Sequence, residues 1–297
     1  MGEVLVGTSS WTDPTLLDAG WYPDGATTAE ARLGYYASRF SLVEVDASYY
    51  ALPSERNCVL WVQRTPPEFT FDVKAFSLLT GHPTKVSSLP KRMRAAVADT
   101  ATLSRRDVPA PILDEVFEMF RSALMPLHSA GKLGFVLFQF PEWFVPCDGN
   151  RAYVESCAAR LPDYRVAVEF RRRDWMLTPA RASETVRWLS DNDLAYVNVD
   201  MPQGFSSSMP PLTLVTTSEL AVVRFHGRNT RTWKQRGITA AQRFEYLYSE
   251  EELREWVPQV RELAGRARRT HVLFNNCYRD YGVRNAAQMS LMLADAQ

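Results

Sequence analysis

The sequence predicts an α/β fold, a single (β/α)8 barrel of the TIM type with a long helical insert between the third and fourth strands. Eight short runs rich in β-branched or aromatic residues are spread along the 297 residues, and most are followed by segments with helical spacing of apolar residues. Strands that alternate with helices form parallel βαβ units, and eight such units close into a barrel of about 250 residues. The strands are predicted at residues 4–7, 42–46, 70–74, 133–140, 166–170, 194–200, 221–226 and 270–275.

The segments between these strands predict helices and two long inserts. Helical spacing is clearest over residues 28–40, 180–192, 250–266 and 284–294. The first insert, residues 77–132, contains four prolines and is expected to be broken into several helices: Pro90, Pro109, Pro111 and Pro126. The second, residues 227–269, is expected to be a long loop plus one helix. Neither insert is large or apolar enough for a core of its own, so residues 1–297 are expected to form one domain.

Composition narrows the class of protein. The chain has 34 basic and 34 acidic residues, 46% hydrophobic residues and 23% charged residues, which are ordinary globular values that exclude a disordered chain or a coiled coil. The balanced charge argues against strong whole-chain attraction to nucleic acid or acidic lipid, although a local basic patch stays possible. No pair among the four cysteines has C-x-x-C spacing, and no apolar stretch approaches about 18 residues. We therefore expect a cytoplasmic protein without a membrane span.

Polar and apolar residues alternate along most of the predicted strands. Because successive side chains of a strand point to opposite faces, each strand has one polar and one apolar face. The apolar faces are expected to meet the helices, so the polar faces look into the barrel near its C-terminal rim, where active sites of this fold are built. A self-satisfied salt bridge is an equal alternative for any single pair, but the whole set favours a ligand site. Its members are Glu44, Asp46, Asp72, Lys74, Gln139, Glu169, Arg171, Asn198, Asp200, Arg224, His226, Asn275 and Asn276.

Aromatic and basic residues add to the same rim. Aromatic side chains follow most strands and predict a collar that suits a ligand with flat or apolar faces, such as a base or a sugar. These are Trp11, Tyr49, Tyr50, Phe76, Trp143, Trp175, Trp233 and Tyr278. The loop after the seventh strand, GRNTRTWKQRG at 227–237, carries four cations and no acid: Arg228, Arg231, Lys234 and Arg236. It predicts a site for a phosphate or a nucleic-acid backbone, with a solvated surface loop as the alternative.

Common catalytic signatures are missing from the sequence. It contains no phosphate-binding G-x-x-x-x-G-K, no dinucleotide G-x-G-x-x-G after the first strand, no H-E-x-x-H and no G-x-S-x-G. Only His226 among the four histidines falls on an inward strand tip, so a multi-histidine zinc centre is not expected. A carboxylate-bound Mg²⁺ or Mn²⁺ is the cofactor that the sequence permits, through Glu44, Asp46, Glu169 or Asp200. Cys277 is expected to be a plain buried thiol.

Eight ordered motifs carry a family resemblance: GTSSW, VEVDASYYALPS, FTFDVKA, LGFVLFQFP, VAVEFRRRDW, VVRFHGRNTRTW, EYLYSEEEL and FNNCYRDYGVRNA. The chain resembles the YecE-like family, bacterial and archaeal proteins that carry a domain of unknown function, from Gly7 to the last helix. The resemblance implies a TIM-type barrel and no established reaction. A likeness of relatives to endonuclease IV-type barrels suggests DNA binding or processing, but this chain lacks the histidines of a three-zinc endonuclease. The family's polar positions are matched by Glu44, Lys74, Gln139, Glu169, Arg171, Arg224, His226, Gly227, Arg228, Asn275, Asn276 and Asn285.

The leading functional hypothesis is a hydrolase that acts on a small phosphorylated or nucleotide-like molecule at the barrel mouth. The expected catalytic residues are Glu44, Glu169, Lys74 and His226, with the two glutamates as acid and base. The expected binding residues are Arg171, Arg224, Arg228, Gln139, Asn275, Asn276, Tyr50, Trp175 and Trp233. The alternatives are a nucleic-acid-binding protein without catalysis and a sugar-active barrel. If the charges form a partly solvated site, Glu169→Gln should leave the melting temperature nearly unchanged.

Overall fold

The computed structural model describes residues 1–97 and 100–294 and contains ten strands. They are β1 (Glu3–Thr8), β2 (Leu42–Val45), β3 (Thr70–Lys74), β4 (Thr84–Lys85), β5 (Thr102–Leu103), β6 (Leu133–Gln139), β7 (Val166–Glu169), β8 (Ala195–Asp200), β9 (Leu220–Phe225) and β10 (Arg269–Phe274). Eight of them pair in parallel and close into a barrel in the order β1-β10-β9-β8-β7-β6-β3-β2. The predicted (β/α)8 barrel is confirmed, and each predicted strand coincides with a barrel strand.

The barrel closes where β1 pairs with β10 on one side and with β2 on the other. Thr8 lies opposite Phe274 of β10 and opposite Val43 of β2. A Cβ atom at Gly7 would lie 2.0 Å from the carbonyl oxygen of Leu42, so glycine lets β1 and β2 approach each other here. The pairing brings the C-terminal ends of all eight strands to one end of the barrel, and this end carries the site.

The described residues form ten α-helices, which surround the barrel or lie in its loops. They are α1 (Pro14–Asp18), α2 (Ala29–Ala37), α3 (Glu55–Gln63), α4 (Lys91–Arg94), α5 (Ala110–Ser129), α6 (Asp148–Ala159), α7 (Pro179–Asp191), α8 (Ala240–Arg243), α9 (Glu250–Arg266) and α10 (Tyr281–Ala294). Side chains of Thr28, Ser54, Thr178 and Ser249 accept backbone N–H groups and so begin α2, α3, α7 and α9. The helix predicted at 250–266 coincides with α9.

The insert between β3 and β6 combines helices with a small hairpin. The two-residue strands β4 and β5 pair antiparallel and have no counterpart among the eight predicted strands. The insert is divided into several helices, as its prolines predict, but Pro126 does not break α5, which runs through this residue to Ser129. Pro111 lies in the first turn of α5, where its missing N–H costs nothing. The insert is therefore dominated by one 20-residue helix, α5, which packs against α3 and β6.

The connection from β8 to β9 departs from a regular barrel. Residues 201–219, all of which the structure describes, form no helix. Asn198 holds this segment instead: its side-chain oxygen accepts the Leu214 N–H at 2.8 Å, and its amide donates to the Leu214 carbonyl at 3.0 Å. The polar face of β8 thus points out of the barrel, which corrects the prediction that Asn198 and Asp200 look inward. No helix in the described part of the chain is long and apolar enough to cross a membrane.

Candidate functional site at the barrel mouth

Four charged side chains form a continuous series of ion pairs inside the barrel: Glu44, Arg224, Glu169 and Arg171. The guanidinium of Arg224 donates to Glu44 Oε1 at 2.6 Å and also to Glu169 Oε2, and all three side chains have zero exposure. Arg171 Nε donates to Glu169 Oε1 at 2.5 Å. Glu44, Glu169 and Arg224 come from β2, β7 and β9, which are not neighbours in the sheet, so these contacts cross the barrel lumen. The structure therefore brings together the charges that the alternating pattern assigned to one face.

His226 extends this series. Its Nε2 lies 3.2 Å from Glu169 Oε1, and its Nδ1 lies 2.9 Å from the side-chain amide of Asn275. Burial, reinforced by the charge of Arg171, lowers the pKa of His226 to about 3. The imidazole is therefore neutral at pH 7, and these contacts suit a tautomer in which Nε2–H donates to Glu169 and Nδ1 accepts from Asn275.

The two glutamates differ in their protonation. Burial raises the pKa of Glu44 to about 7, against the opposing charge of Arg224. Burial acts on Glu169 in the same direction, but Arg171 and Arg224 outweigh it and hold the pKa of Glu169 well below its usual range. Among the described residues, no hydrogen-bond donor reaches the buried Glu44 Oε2. At neutral pH, Glu169 is thus a fixed anion and Glu44 is a group that exchanges protons.

An open cavity of about 870 Å³ lies above this network at the C-terminal end of the barrel. Its floor is formed by Lys74, Gln139, Arg171 and Asn275. Lys74 Nζ donates to Asp46 Oδ1 at 2.7 Å and lies 4.7 Å from the centre of the Tyr49 ring. Glu44, Glu169, Arg224 and His226 are not among the cavity-lining residues. A ligand in the cavity would therefore contact the ends of this network, Arg171 and Asn275, and not its glutamates.

One side of the cavity is an aromatic wall made of Tyr50, Tyr49, His82 and Trp143. Successive ring centroids along it lie 5.0, 5.3 and 5.9 Å apart, in edge-to-face arrangements. Tyr50 and Trp143 are 61% and 57% exposed, which is unusual for such large rings. Burial, with the charges of Lys74 and Arg171, lowers the pKa of His82 to about 3, so its ring is neutral. The wall is a surface on which a flat group can stack.

The other side is formed by residues 227–244 after β9, called here the cationic loop. Lys234, Arg236 and Arg243 line the cavity. Trp233 is nearly buried: Arg171 lies 5.4 Å from its ring centre, and its Nε1 donates to Ser207 Oγ at 3.2 Å. Lys234 forms an ion pair with Glu142 and so connects this loop to the loop after β6. The predicted basic loop thus borders the cavity, with Trp233 covering part of the floor.

Two cations of this loop, Arg231 and Arg228, are not among the cavity-lining residues, and the predicted position of Arg228 at the mouth is wrong. Its guanidinium binds Asp200 Oδ2 at 2.7 Å on the outer side of β8. Asp200 also accepts from Tyr248 at 2.7 Å and from Trp256 Nε1 at 2.8 Å. The physical reason is that Asp200 faces outward and, being 4% exposed, requires a cation there.

Two more predicted binding residues lie elsewhere. Trp175 has zero exposure, stacks on Phe170 with 4.2 Å between ring centroids, and donates to the Phe144 carbonyl, so it belongs to the core outside the barrel. Asn276 donates to the Tyr246 carbonyl and to Asn285. Because Asn275 points inward, its neighbour Asn276 must point outward.

The residues expected to hold Mg²⁺ or Mn²⁺ do not come together. Arg224 lies between Glu44 and Glu169, Lys74 occupies one oxygen of Asp46, and Asp200 is outside the barrel. Across residues 1–97 and 100–294, no three His, Cys, Asp or Glu side chains are grouped to bind a metal. The four expected ligands therefore do not fit a carboxylate-held divalent cation.

Sequence reasoning missed three members of the site region. His82 and Arg243 lie in the two inserts, where no strand alternation assigns a direction to a side chain. Asp72 and His271 form a fully buried pair, with 2.9 Å between Asp72 Oδ2 and His271 Nδ1, below the series of four charged side chains. Alternation had already assigned Asp72 to the inward face of β3, so the missed member of this pair is His271, which shares the parity of the inward Asn275 after β10.

Known proteins match this chain over nearly its whole length, and solved structures among them share its fold. Residues 5–297 match the family described as "Protein of unknown function DUF72". The UPF0759 protein YunF of Bacillus subtilis (strain 168) is 32% identical over 293 residues, which are 98% of this chain and 94% of that protein. A DUF72 family protein of Thermotoga maritima MSB8 has 32% identity and a TM-score of 0.77, covering 98% of this chain and 99% of that one. For one from Enterococcus faecalis V583 the values are 25% and 0.78, with 98% and 95% covered. The chain is therefore a member of the DUF72 family.

Proposed function

We propose that the mouth cavity binds a small phosphorylated molecule with a flat ring and that the protein hydrolyses its phosphoester. The observation that carries this proposal is the placement of the aromatic wall and of a set of cations on different sides of one cavity. The wall follows β2, β3 and β6, whereas Arg171 follows β7 and the cationic loop follows β9. A nucleotide-like ligand has the same division, with a ring that stacks and a phosphate that requires cations.

The floor supplies groups for the phosphate. Lys74 and Arg171 both line the cavity floor, so both cations are available to a phosphate group there. Arg171 is held by Glu169 at 2.5 Å and lies 3.3 Å from Gln139 Oε1, which fixes its guanidinium before a ligand arrives. Cations that are already oriented stabilise the charge that develops on a phosphoryl group during its transfer.

Asp46 is the group that we assign to activating water. Lys74 holds its Oδ1 at 2.7 Å, and no donor in the described residues binds its Oδ2. The water oxygen would form the new bond to phosphorus while the ester bond to the leaving alkoxide breaks. The proton taken up by Asp46 would pass to that alkoxide, which leaves as an alcohol.

This assignment gives Glu44 and Glu169 a positioning role instead of the acid and base roles expected from the sequence. Both are fully buried and are absent from the cavity lining. A glycosidase pair requires two carboxyl groups that reach the sugar, one acidic and one nucleophilic or basic. Glu169 is held between two guanidinium groups, so the sugar-active alternative receives no support from this geometry.

The test is release of inorganic phosphate from the four common ribonucleoside 5′-monophosphates. We expect release by the wild type and a loss of at least about 100-fold in kcat for Asp46→Asn, the scale of general base catalysis. Asp24→Asn, an exposed residue away from the cavity, is the matched control and should keep its rate. Binding without release would refute the hydrolysis and keep the binding proposal.

The nucleic-acid alternative predicts a different result when an oligonucleotide is tested beside the monophosphates. If an oligonucleotide binds while the monophosphates neither bind nor react, the proposal fails. In that case affinity should fall steeply with salt, because backbone binding releases counterions.

A further inference from the structure

A third side of the cavity is rich in hydrogen-bond acceptors. The loop after β1 contributes Ser10, Thr12 and Asp13 to the lining. Asp13 Oδ1 accepts from the backbone N–H of Thr15 at 2.9 Å and from its hydroxyl at 2.6 Å. Within residues 1–97 and 100–294, no donor binds Asp13 Oδ2. This carboxylate oxygen remains available to a group that enters the cavity.

Asp13 acts on groups that line the same cavity. Burial raises the pKa of Cys277, and the charges of Asp13 and Asp46 raise it further. The pKa of Tyr50 is also raised, by burial first and then by Asp46, Cys277 and Asp13 among the nearby groups. The negative charge of Asp13 therefore acts on Tyr50 and Cys277, two residues that line the cavity.

The strand order separates this side from the other two. In the closed barrel, β1 lies between β2 and β10 and is four positions from β7. Travelling around the mouth, the acceptor side after β1 is followed by the aromatic wall after β2, β3 and β6. The cations after β7 and β9 come next. The cavity thus presents three chemistries around its rim: acceptors, flat rings and cations.

We infer that the ligand is a ribonucleoside phosphate whose ribose hydroxyls donate to Asp13 while its base stacks on the aromatic wall. The inference rests on the proposed function, since it uses the same cavity and the same phosphate position. A ribose ring carries three groups in three directions: the base, the 2′,3′-diol and the 5′-phosphate. A carboxylate that accepts from a ribose 2′-hydroxyl is a known mode of recognition. A 2′-deoxyribonucleotide lacks one of the two donors.

Titration calorimetry tests this inference with paired ligands. The wild type is titrated with a non-hydrolysable phosphonate analogue of each ribonucleoside 5′-monophosphate and of its 2′-deoxy counterpart, so that turnover does not mask the heat of binding. We expect the ribonucleotide to bind about tenfold or more tightly than its counterpart, the scale of a hydrogen bond to a charged group. Asp13→Asn should reduce this preference to about twofold or less. Asparagine is as good an N-cap as aspartate, so α1 should be retained, and an unchanged melting temperature checks this.

The possible outcomes distinguish a failure of this inference from a failure of the proposed function. Equal affinity of the wild type for both ligands of every pair overturns the inference and leaves the phosphate proposal intact. A ribose preference that survives in a folded Asp13→Asn variant also overturns it, because the diol would then bind elsewhere. If neither ligand binds in any pair, the proposed function itself fails. The wild-type comparison stands even if the variant does not fold.

Discussion

The carboxylate of Glu44 lies 2.6 Å from the guanidinium of Arg224, and neither side chain is exposed to solvent. Arg224 also binds Glu169, yet the pKa values of the two glutamates move in opposite directions. Burial raises the pKa of Glu44, whose one direct ion-pair partner among the described residues is Arg224. For Glu169 the combined charges of Arg171 and Arg224 overcome burial. The second arginine thus decides which carboxyl group stays ionised.

Glu169→Gln should strongly destabilise the protein. The substitution removes the anion between the fully buried Arg224 and the partly exposed Arg171 and leaves both cations with one carboxylate, a loss of about 3–5 kcal/mol. For a chain of this size we expect the melting temperature to fall by about 6 °C or more. Full burial of Glu169 is the reason that this differs from the near-zero change expected for a partly solvated site. A thermal melt of the purified variant measures it.

Glu184→Gln provides the matched control for that melt. Glu184 also pairs with two arginines, Arg151 and Arg181, but its side chain is 49% exposed. Exposed ion pairs contribute little to stability, so its melting temperature should stay close to that of the wild type. Equal melting temperatures for Glu169→Gln and wild type would contradict the buried network.

The protonation of Glu44 predicts a pH dependence of stability. Its pKa is about 7 in the folded protein, above the ordinary value of 4.5. The folded state therefore binds the extra proton, and the stabilisation that this gives is present at low pH and is lost as pH rises from 4.5 through 7. Glu44→Gln lacks this titration. The free energy of unfolding of the wild type relative to Glu44→Gln should fall by roughly 2–3 kcal/mol between pH 5 and 8.

Other groups do not obscure this comparison. His226 has a lowered pKa, so its contribution is lost as pH falls below 6.5, but it is present in both proteins and cancels in the difference. The lowered pKa of Glu169 places its titration below 4.5, outside this window. Urea unfolding of both proteins at a series of pH values measures the difference. A difference that is constant with pH would show that Glu44 does not titrate there.

Gly134→Ala should disrupt the barrel interior. A Cβ atom at this position would lie 2.1 Å from Asp72 Oδ1 and 2.8 Å from His271 Cε1, so the buried Asp72–His271 pair would have to separate. We expect a loss of about 3 kcal/mol or more, or failure to fold. Gly34→Ala, at an exposed position within α2 with nothing within 4 Å, should stabilise by up to about 1 kcal/mol. Chemical denaturation of both variants tests the contrast, and similar stabilities would argue against a packed pair.

Arg228→Ala should affect stability and leave ligand binding unchanged. Its guanidinium holds Asp200 outside the barrel and is not part of the cavity lining. Losing this partner should cost about 1–3 kcal/mol, while Tyr248 and Trp256 still bind Asp200. Arg236→Ala, which removes a cation that lines the cavity, is the counterpart and should weaken the binding of phosphorylated ligands. If Arg228→Ala weakened ligand binding and Arg236→Ala did not, Arg228 would belong to the binding site.

The barrel and its inward charges were predictable because both depend on simple periods. Alternation with a period of two assigned Glu44, Glu169 and Arg224 to one face, and the contacts across the lumen agree with this. The same rule failed for Asp200. Alternation divides the residues of a strand between two faces, but it does not tell which face points into the barrel. On β8 the inward face is apolar, and Asn198 ties down the segment that replaces a helix.

The positions of Arg228 and Trp175 depend on contacts with other residues that the local sequence pattern does not reveal. Arg228 is drawn outward by Asp200, 28 positions away in the chain, and nothing local to the basic loop reveals this. Trp175 follows a strand in the same way as Trp143, yet one is fully buried and the other 57% exposed. The difference lies in the packing partner Phe170, which contacts only Trp175 of the two. Sequence position alone does not contain that information.

Binding of a phosphorylated ligand on the aromatic wall is measured by calorimetric titration of the wild type and Trp143→Ala. The ligands are non-hydrolysable phosphonate analogues of the ribonucleoside 5′-monophosphates and of ribose 5-phosphate. Trp143 is exposed on the aromatic wall, so its removal should leave the melting temperature unchanged. We expect Trp143→Ala to bind at least one monophosphate analogue about tenfold more weakly than the wild type does, the scale of one base–aromatic stack. The ribose 5-phosphate analogue, which has no base, should bind both proteins equally. Failure of the wild type to bind any of these ligands, or equal binding of every monophosphate analogue by both proteins, would contradict the proposed binding on the aromatic wall.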